Sequence, residues 1–193
     1  MENCSKINAF LTETECKEMR DIFLRSTPTL SELGDECYGI DVNNTAAYLW
    51  FKKKFLDKLN TFFDVKLNLI FAFYASFTKP FTIHDDLKPI PNDVQGTPYI
   101  SCLIPLSVDN IQENCHMAST IIFKKEINDN AVKDHEKYLS HCDLEKLKNR
   151  KIDKIFKWTP YDMIWWRSEL DHCSSHFKDF TTKQCIVVHT YVE

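Results

Sequence analysis

Three short stretches carry side chains able to do metal chemistry. His84-Asp85-Asp86 is an H-x-D, His172 follows the aromatic run at 163–167, and Lys183 opens the last apolar run of the chain. Side chains two apart on an extended segment share a face, so His84 and Asp86 point the same way. A histidine from a distant strand then completes two imidazoles and one carboxylate on one side of a metal, a facial set that suits Fe(II) and leaves positions open. The open positions suit a bidentate 2-oxoacid and then dioxygen. A buried cation such as Lys183 binds the far carboxylate of that oxoacid by a charge-assisted hydrogen bond.

Each of these residues has an ordinary reading: a turn for the H-x-D, a hydrogen-bonded structural histidine for His172, a solvated lysine for Lys183. Their order along the chain is what discriminates. His176 rivals His172, because His172-x-x-x-His176 is also the spacing of a helical zinc pair. Ser174-Ser175 after a strand argues against a helix there, and His172 is preferred. His189 alternates with Lys183 and reads as a core histidine, while His116, His135 and His141 read as solvated. A structural zinc site on Cys115, His116, His141 and Cys142 lacks regular ligand spacing.

These groups need a scaffold, and the composition provides for one. The chain has 193 residues, 44% of them hydrophobic and 13% aromatic, which is enough for one core and excludes wholesale disorder. With 24 Lys+Arg against 28 Asp+Glu, nothing indicates nucleic-acid or anionic-membrane binding. Three glycines in all exclude a Walker loop and a dinucleotide fingerprint. No signal peptide or membrane-length apolar run is visible, several of the eight cysteines sit in apolar runs as reduced thiols would, and the cytoplasm is the expected compartment.

Thr12-x-x-Glu15 is a capping box that opens a helix over 12–25. A second helix is predicted over 45–63, with Leu49, Leu56, Leu59 and Phe63 on one face. Between them 28–44 reads as an irregular connection. Strands are predicted at 67–76, 81–84, 99–107, 119–123, 163–166 and 185–192, with a charged helical insertion at 129–153. Trp165 and Trp166 must face opposite sides of their strand. Helices first, then strands, makes an α+β domain whose sheet forms a sandwich or barrel.

In this order the motifs resemble the Fe(II)/2-oxoglutarate-dependent dioxygenases, in their prolyl-4-hydroxylase-like branch. Ile7-Asn-Ala-Phe-Leu-Thr-Glu-Thr-Glu-Cys16 is similar to the family's opening helix, and Phe73-Tyr74 with Phe81-Thr-Ile-His84-Asp-Asp86 to its tyrosine and H-x-D segment. The segments 99–107, 119–123, 162–166, 170–175 and 183–188 are similar to the strands that follow. Lys183, where other branches have arginine, is similar to the prolyl hydroxylases, and the tail resembles small oxygenases of marine phages.

The resemblance implies a single domain over 1–193: helical support in 1–66, and a double-stranded β-helix (jelly-roll, cupin-like) core in 67–193 with N-terminal helices packed on one sheet. It implies His84, Asp86 and His172 as iron ligands, Lys183 as the 2-oxoglutarate partner, and Tyr74 and Ser101 as hydroxyls near the oxoacid. It also implies 2-oxoglutarate, dioxygen and an organic or peptidyl substrate as partners, ascorbate as a reductant, and a monomer or homodimer. The activity implied is decarboxylation of 2-oxoglutarate to succinate with hydroxylation of a peptidyl prolyl or other substrate; the alternative is a non-catalytic cupin-like module. Candidate substrate contacts are Tyr38 in the 28–44 loop, the 86–98 loop and Arg167. Three departures from the family pattern bear on loop geometry: Ala75 to Pro80 where a glycine is usual, Ala118-Ser119 in place of two glycines, and Tyr161 for the glycine before Asp162.

Overall fold

The computed structural model describes residues 2–25, 28–30, 36–39, 45–87, 99–109, 118–177 and 182–193. Strand β1 (Cys4–Ile7) precedes helix α1 (Glu13–Leu24). Thr12 caps that helix as its sequence requires: its Oγ1 accepts from the Glu15 amide at 3.1 Å while the Glu15 carboxylate accepts from the Thr12 amide at 2.8 Å. The 28–44 segment is more regular than its composition suggests. It holds β2 (Pro28–Leu30) and β3 (Glu36–Gly39), which pair with each other and dock on the next strand.

The helix at 45–63 is interrupted by a π turn at Lys52–Leu56, between α2 (Thr45–Phe51) and α3 (Asp57–Phe63). The extra residue of a π turn rotates the apolar face. Phe51, Phe55, Leu56, Leu59 and Phe63 are buried, whereas Leu49, predicted on that face, is 56% exposed.

The jelly-roll expected from the resemblance is the fold. Strands β4 (Leu67–Phe77), β5 (Tyr99–Asp109), β6 (Ser119–Lys124), β7 (Lys151–Lys157), β8 (Met163–Arg167), β9 (His172–Ser174) and β10 (Thr182–Val192) complete it. Among the described residues the larger sheet runs β1-β8-β5-β10-β4-β3-β2 and the smaller β7-β6-β9, with every pairing antiparallel. The insertion keeps two helices, α4 (Ala131–Tyr138) and α5 (Leu144–Leu147). It ends earlier than predicted, because Lys151 to Asp153 already belong to β7. Among the described residues that strand is an edge whose Lys151 and Lys157 are exposed, the usual protection of an edge, and this hides its strand character. The predicted strand at 81–84 reduces to a single bridge between His84 and His172.

Strict alternation sorts the strands' side chains onto two faces. Tyr74, Cys102, Ile104, Met163, Trp165, Ile186 and Val188 pack with the helices in one core. Ala75, Phe77, Leu103, Ile164, Trp166, Cys185 and Val187 face the space between the sheets. Trp165 and Trp166 thus separate as predicted. Tyr161 adopts φ 72°, the left-handed conformation glycine takes most easily. Its amide donates to Pro105 O at 3.0 Å and its carbonyl accepts from the Leu11 amide at 3.1 Å. Among the described residues no helix is long and apolar enough to cross a membrane.

Candidate metal centre

His84, Asp86 and His172 come together between the sheets, each offering an atom within 4.8 Å of the others. Backbone pairing sets the approach. The His84 and His172 amides each donate to the other's carbonyl, at 3.0 and 2.8 Å, and the Asp86 amide donates to Ser168 O at 2.9 Å. Both imidazoles are fixed in the same tautomer: His84 Nδ1 donates to Thr82 O at 2.7 Å and His172 Nδ1 to Leu170 O at 3.0 Å. A ring nitrogen that donates to a carbonyl leaves the other as a lone pair for a metal. Those Nε2 atoms lie 3.9 and 3.5 Å from the Asp86 carboxylate oxygens.

The carboxylate is itself oriented, since Trp166 Nε1 donates to Asp86 Oδ2 at 3.0 Å. Burial pushes the Asp86 carboxyl up, but His172, His189, a hydrogen bond from Ser101 and His84 outweigh it and hold the group below its ordinary value. For His172 burial prevails over the attraction of Asp86 and lowers the pKa, so the imidazole is kept neutral, as a ligand must be. The donor set fits a divalent iron-type ion: two neutral imidazole nitrogens and one ionised carboxylate on one side, with space opposite.

That space is a cavity of about 100 Å³, lined by these three residues together with Phe73, Phe77, Phe81, Trp158, Trp166, Ser174, Lys183 and His189, among others. Lys183 is wholly buried. Its Nζ donates to Ser174 Oγ at 2.9 Å and sits over the Trp158 and Phe177 rings at 4.3 and 4.6 Å. No carboxylate of the described residues pairs with it, and burial pushes its pKa down to about 8. A buried ammonium without an anion is costly unless something else supplies one.

Other predicted residues lie elsewhere. Tyr74 does not reach the cavity: the pleat turns it to the helix side, its ring 6.1 Å from that of Tyr38. Ser101 is buried behind the metal-binding carboxylate, where it supports Asp86 and is bonded to His189 Nδ1 at 3.0 Å and Ser168 Oγ at 2.7 Å. Arg167 is exposed and pairs with Glu169 at 2.6 Å. His176 is exposed and outside the cluster. His141, expected to be solvated, has Nε2 donating to Phe81 O at 2.9 Å. Cys115, His116 and most of the 86–98 loop lie outside the described residues. His189, read from its parity with Lys183 as a core histidine, is buried on β10 and forms part of the cavity wall, a role the sequence reading did not give it. Burial pushes its pKa down to about 4.

No protein-family model matches the chain, and no curated protein matches its sequence. Solved structures match its fold. A 2OG-Fe(II) oxygenase-family oxidoreductase from Burkholderia pseudomallei superposes with a TM-score of 0.63 at 9% identity, over 98% of this chain and 84% of its own. A prolyl-4-hydroxylase from Pseudomonas putida gives 0.56 at 13% identity, over 100% and 94%. HygX from Streptomyces hygroscopicus, solved with nickel and 2-oxoglutarate bound, gives 0.61 at 12% identity, over 98% and 82%. At these identities the likeness is one of fold.

Proposed function

We propose that the chain is an Fe(II)- and 2-oxoglutarate-dependent oxygenase, with His84, Asp86 and His172 holding the metal and Lys183 the far carboxylate of the oxoacid. The observation that carries this is the pairing of the two halves in one cavity: a facial donor set whose Nδ1 atoms are committed to backbone carbonyls, and a buried ammonium with no carboxylate beside it among the described residues. Bound Fe(II) and 2-oxoglutarate supply the oxidising power for decarboxylation to succinate and hydroxylation of a substrate. The protein's own part is to orient and to exclude water. Trp166 fixes the carboxylate, Thr82 O and Leu170 O fix the imidazoles, and Ser174 with the Trp158 and Phe177 faces steadies the ammonium.

The His84 side chain is 39% exposed and that of His172 only 7%. Substrate therefore enters at the His84 side and the oxoacid lies toward Lys183. A peptidyl prolyl or other amino-acid side chain is the substrate class we favour, with ascorbate as the reductant that maintains Fe(II). Incubation with Fe(II), 2-oxoglutarate and oxygen should yield succinate slowly even without substrate, and His84→Ala should abolish it. Succinate formed equally by the variant would remove the metal assignment. No Fe(II) uptake by folded protein would favour a non-catalytic module.

A further inference from the structure

A lysine is a compact charge on a flexible four-carbon stem, and in this fold the stem is held still. Lys183 sits near the start of β10, across from Phe77 of β4, and is wholly buried. Its ammonium has three N–H bonds to place. Ser174 Oγ accepts one at 2.9 Å, and two aromatic faces lie against the same nitrogen, Trp158 at 4.3 Å and Phe177 at 4.6 Å. A cation within about 6 Å of a ring centroid is attracted to the ring's negative face. Side chains from three segments thus fix the position of one atom.

The two rings are not equivalent. Trp158 and Ser174 line the cavity together with Lys183, whereas Phe177 is not among its walls. Trp158 is also anchored by hydrogen bonds: its Nε1 donates to Thr120 Oγ1 at 2.9 Å and its amide to Ala118 O at 2.9 Å. Phe177 is 3% exposed and backs the ammonium on the side away from the cavity. Its ring fills the space into which the ammonium would otherwise withdraw.

We propose that Phe177 is a positioning residue that sets how far Lys183 reaches into the cavity and so selects the length of the oxoacid, an inference that rests on the function proposed above. The site holds an oxoacid between two fixed points, the position defined by His84, Asp86 and His172 and the Lys183 ammonium. One chain length spans them. A shorter dicarboxylate leaves a buried carboxylate and ammonium apart, and a longer one drives the ammonium onto the Phe177 ring. Buried charge left unpaired, or a methylene without space, is penalised in either case.

The test is calorimetry on the full-length chain loaded with Zn(II), which has no redox chemistry and so permits binding without turnover. The probes are the four-, five- and six-carbon dicarboxylic 2-oxoacids: oxaloacetate, 2-oxoglutarate and 2-oxoadipate. Wild type should bind 2-oxoglutarate at least about 10-fold tighter than 2-oxoadipate, the usual cost of one methylene in a closed pocket. Phe177→Ala should bring the two affinities close to equal with Zn(II) affinity unchanged. Phe177→Leu, which keeps an apolar filling should the alanine variant not fold, should shift the ratio in the same direction by less. A merely structural role would weaken the oxoacids alike and leave the ratio alone. No preference in wild type, or the wild-type ratio kept in the folded variants, would overturn the role of Phe177 and leave the proposed function standing. Folded, Zn(II)-loaded wild type that binds none of the three oxoacids would overturn that function and this inference with it.

Discussion

The two faces of the larger sheet are built from the same strands and follow opposite rules. On the helix side β10 contributes Ile186 and Val188, β4 Ala72 and Tyr74, and β8 Met163 and Trp165, closed over by Phe51, Phe55 and Leu59. On the inner side the same β10 presents Lys183, Val187 and His189, near a carboxylate and two further imidazoles. The first face is apolar packing that lowers the free energy of the fold. The second buries a cation and titratable rings, which raises it. A face that costs stability within so well packed a sheet is where function is to be sought.

Substitutions on either face should sharpen that contrast. Asp86→Ala has the largest expected effect on binding: at least about 100-fold weaker Co(II) or Fe(II) affinity by calorimetry, since loss of a ligand exceeds loss of an outer partner. Its effect on the thermal unfolding midpoint should be smaller, a modest fall from the anion lost to Trp166 Nε1 and the neighbouring imidazoles. Phe55→Ala should do the reverse, destabilising the fold by about 3–5 kcal/mol in denaturant titration with metal affinity preserved in the folded fraction.

Lys183→Met should abolish oxoacid binding and stabilise the protein. The folded-state pKa is lowered from 10.5 to about 8, so at pH 7 the buried charge costs on the order of 3 kcal/mol. Between those values the unfolded chain binds the extra proton, and wild-type stability therefore rises with pH. The advantage of the variant should be full below pH 8 and close as pH approaches 10.5. Equal stability across that range would show that the ammonium is already compensated. Thr12→Ala, at an exposed cap, should cost about 1 kcal/mol and leave both binding properties untouched.

Sequence reaches some of this arrangement directly and misses other parts for definable reasons. His84 and Asp86 are local and alternate, Lys183 and Trp166 obey the pleat of their strands, and the Thr12 capping box is a four-residue signal. What failed depends on partners distant in the chain. Lys151–Lys157 is a strand because β6 pairs with it, not because its charged residues favour one. Leu49 leaves the core because a π turn shifts the helix face, which no fixed period anticipates. Tyr74 carries a suitable hydroxyl, but the pleat turns it to the helix side and places its neighbour Phe73 in the cavity.

The most direct test is an anaerobic titration of the metal-free chain with Fe(II) and then 2-oxoglutarate. The account predicts a weak visible charge-transfer band that saturates at one equivalent, is absent from Asp86→Ala, and disappears with succinate formation when oxygen is admitted. Folded wild-type protein that binds neither Fe(II) nor 2-oxoglutarate, and shows no band, would contradict it.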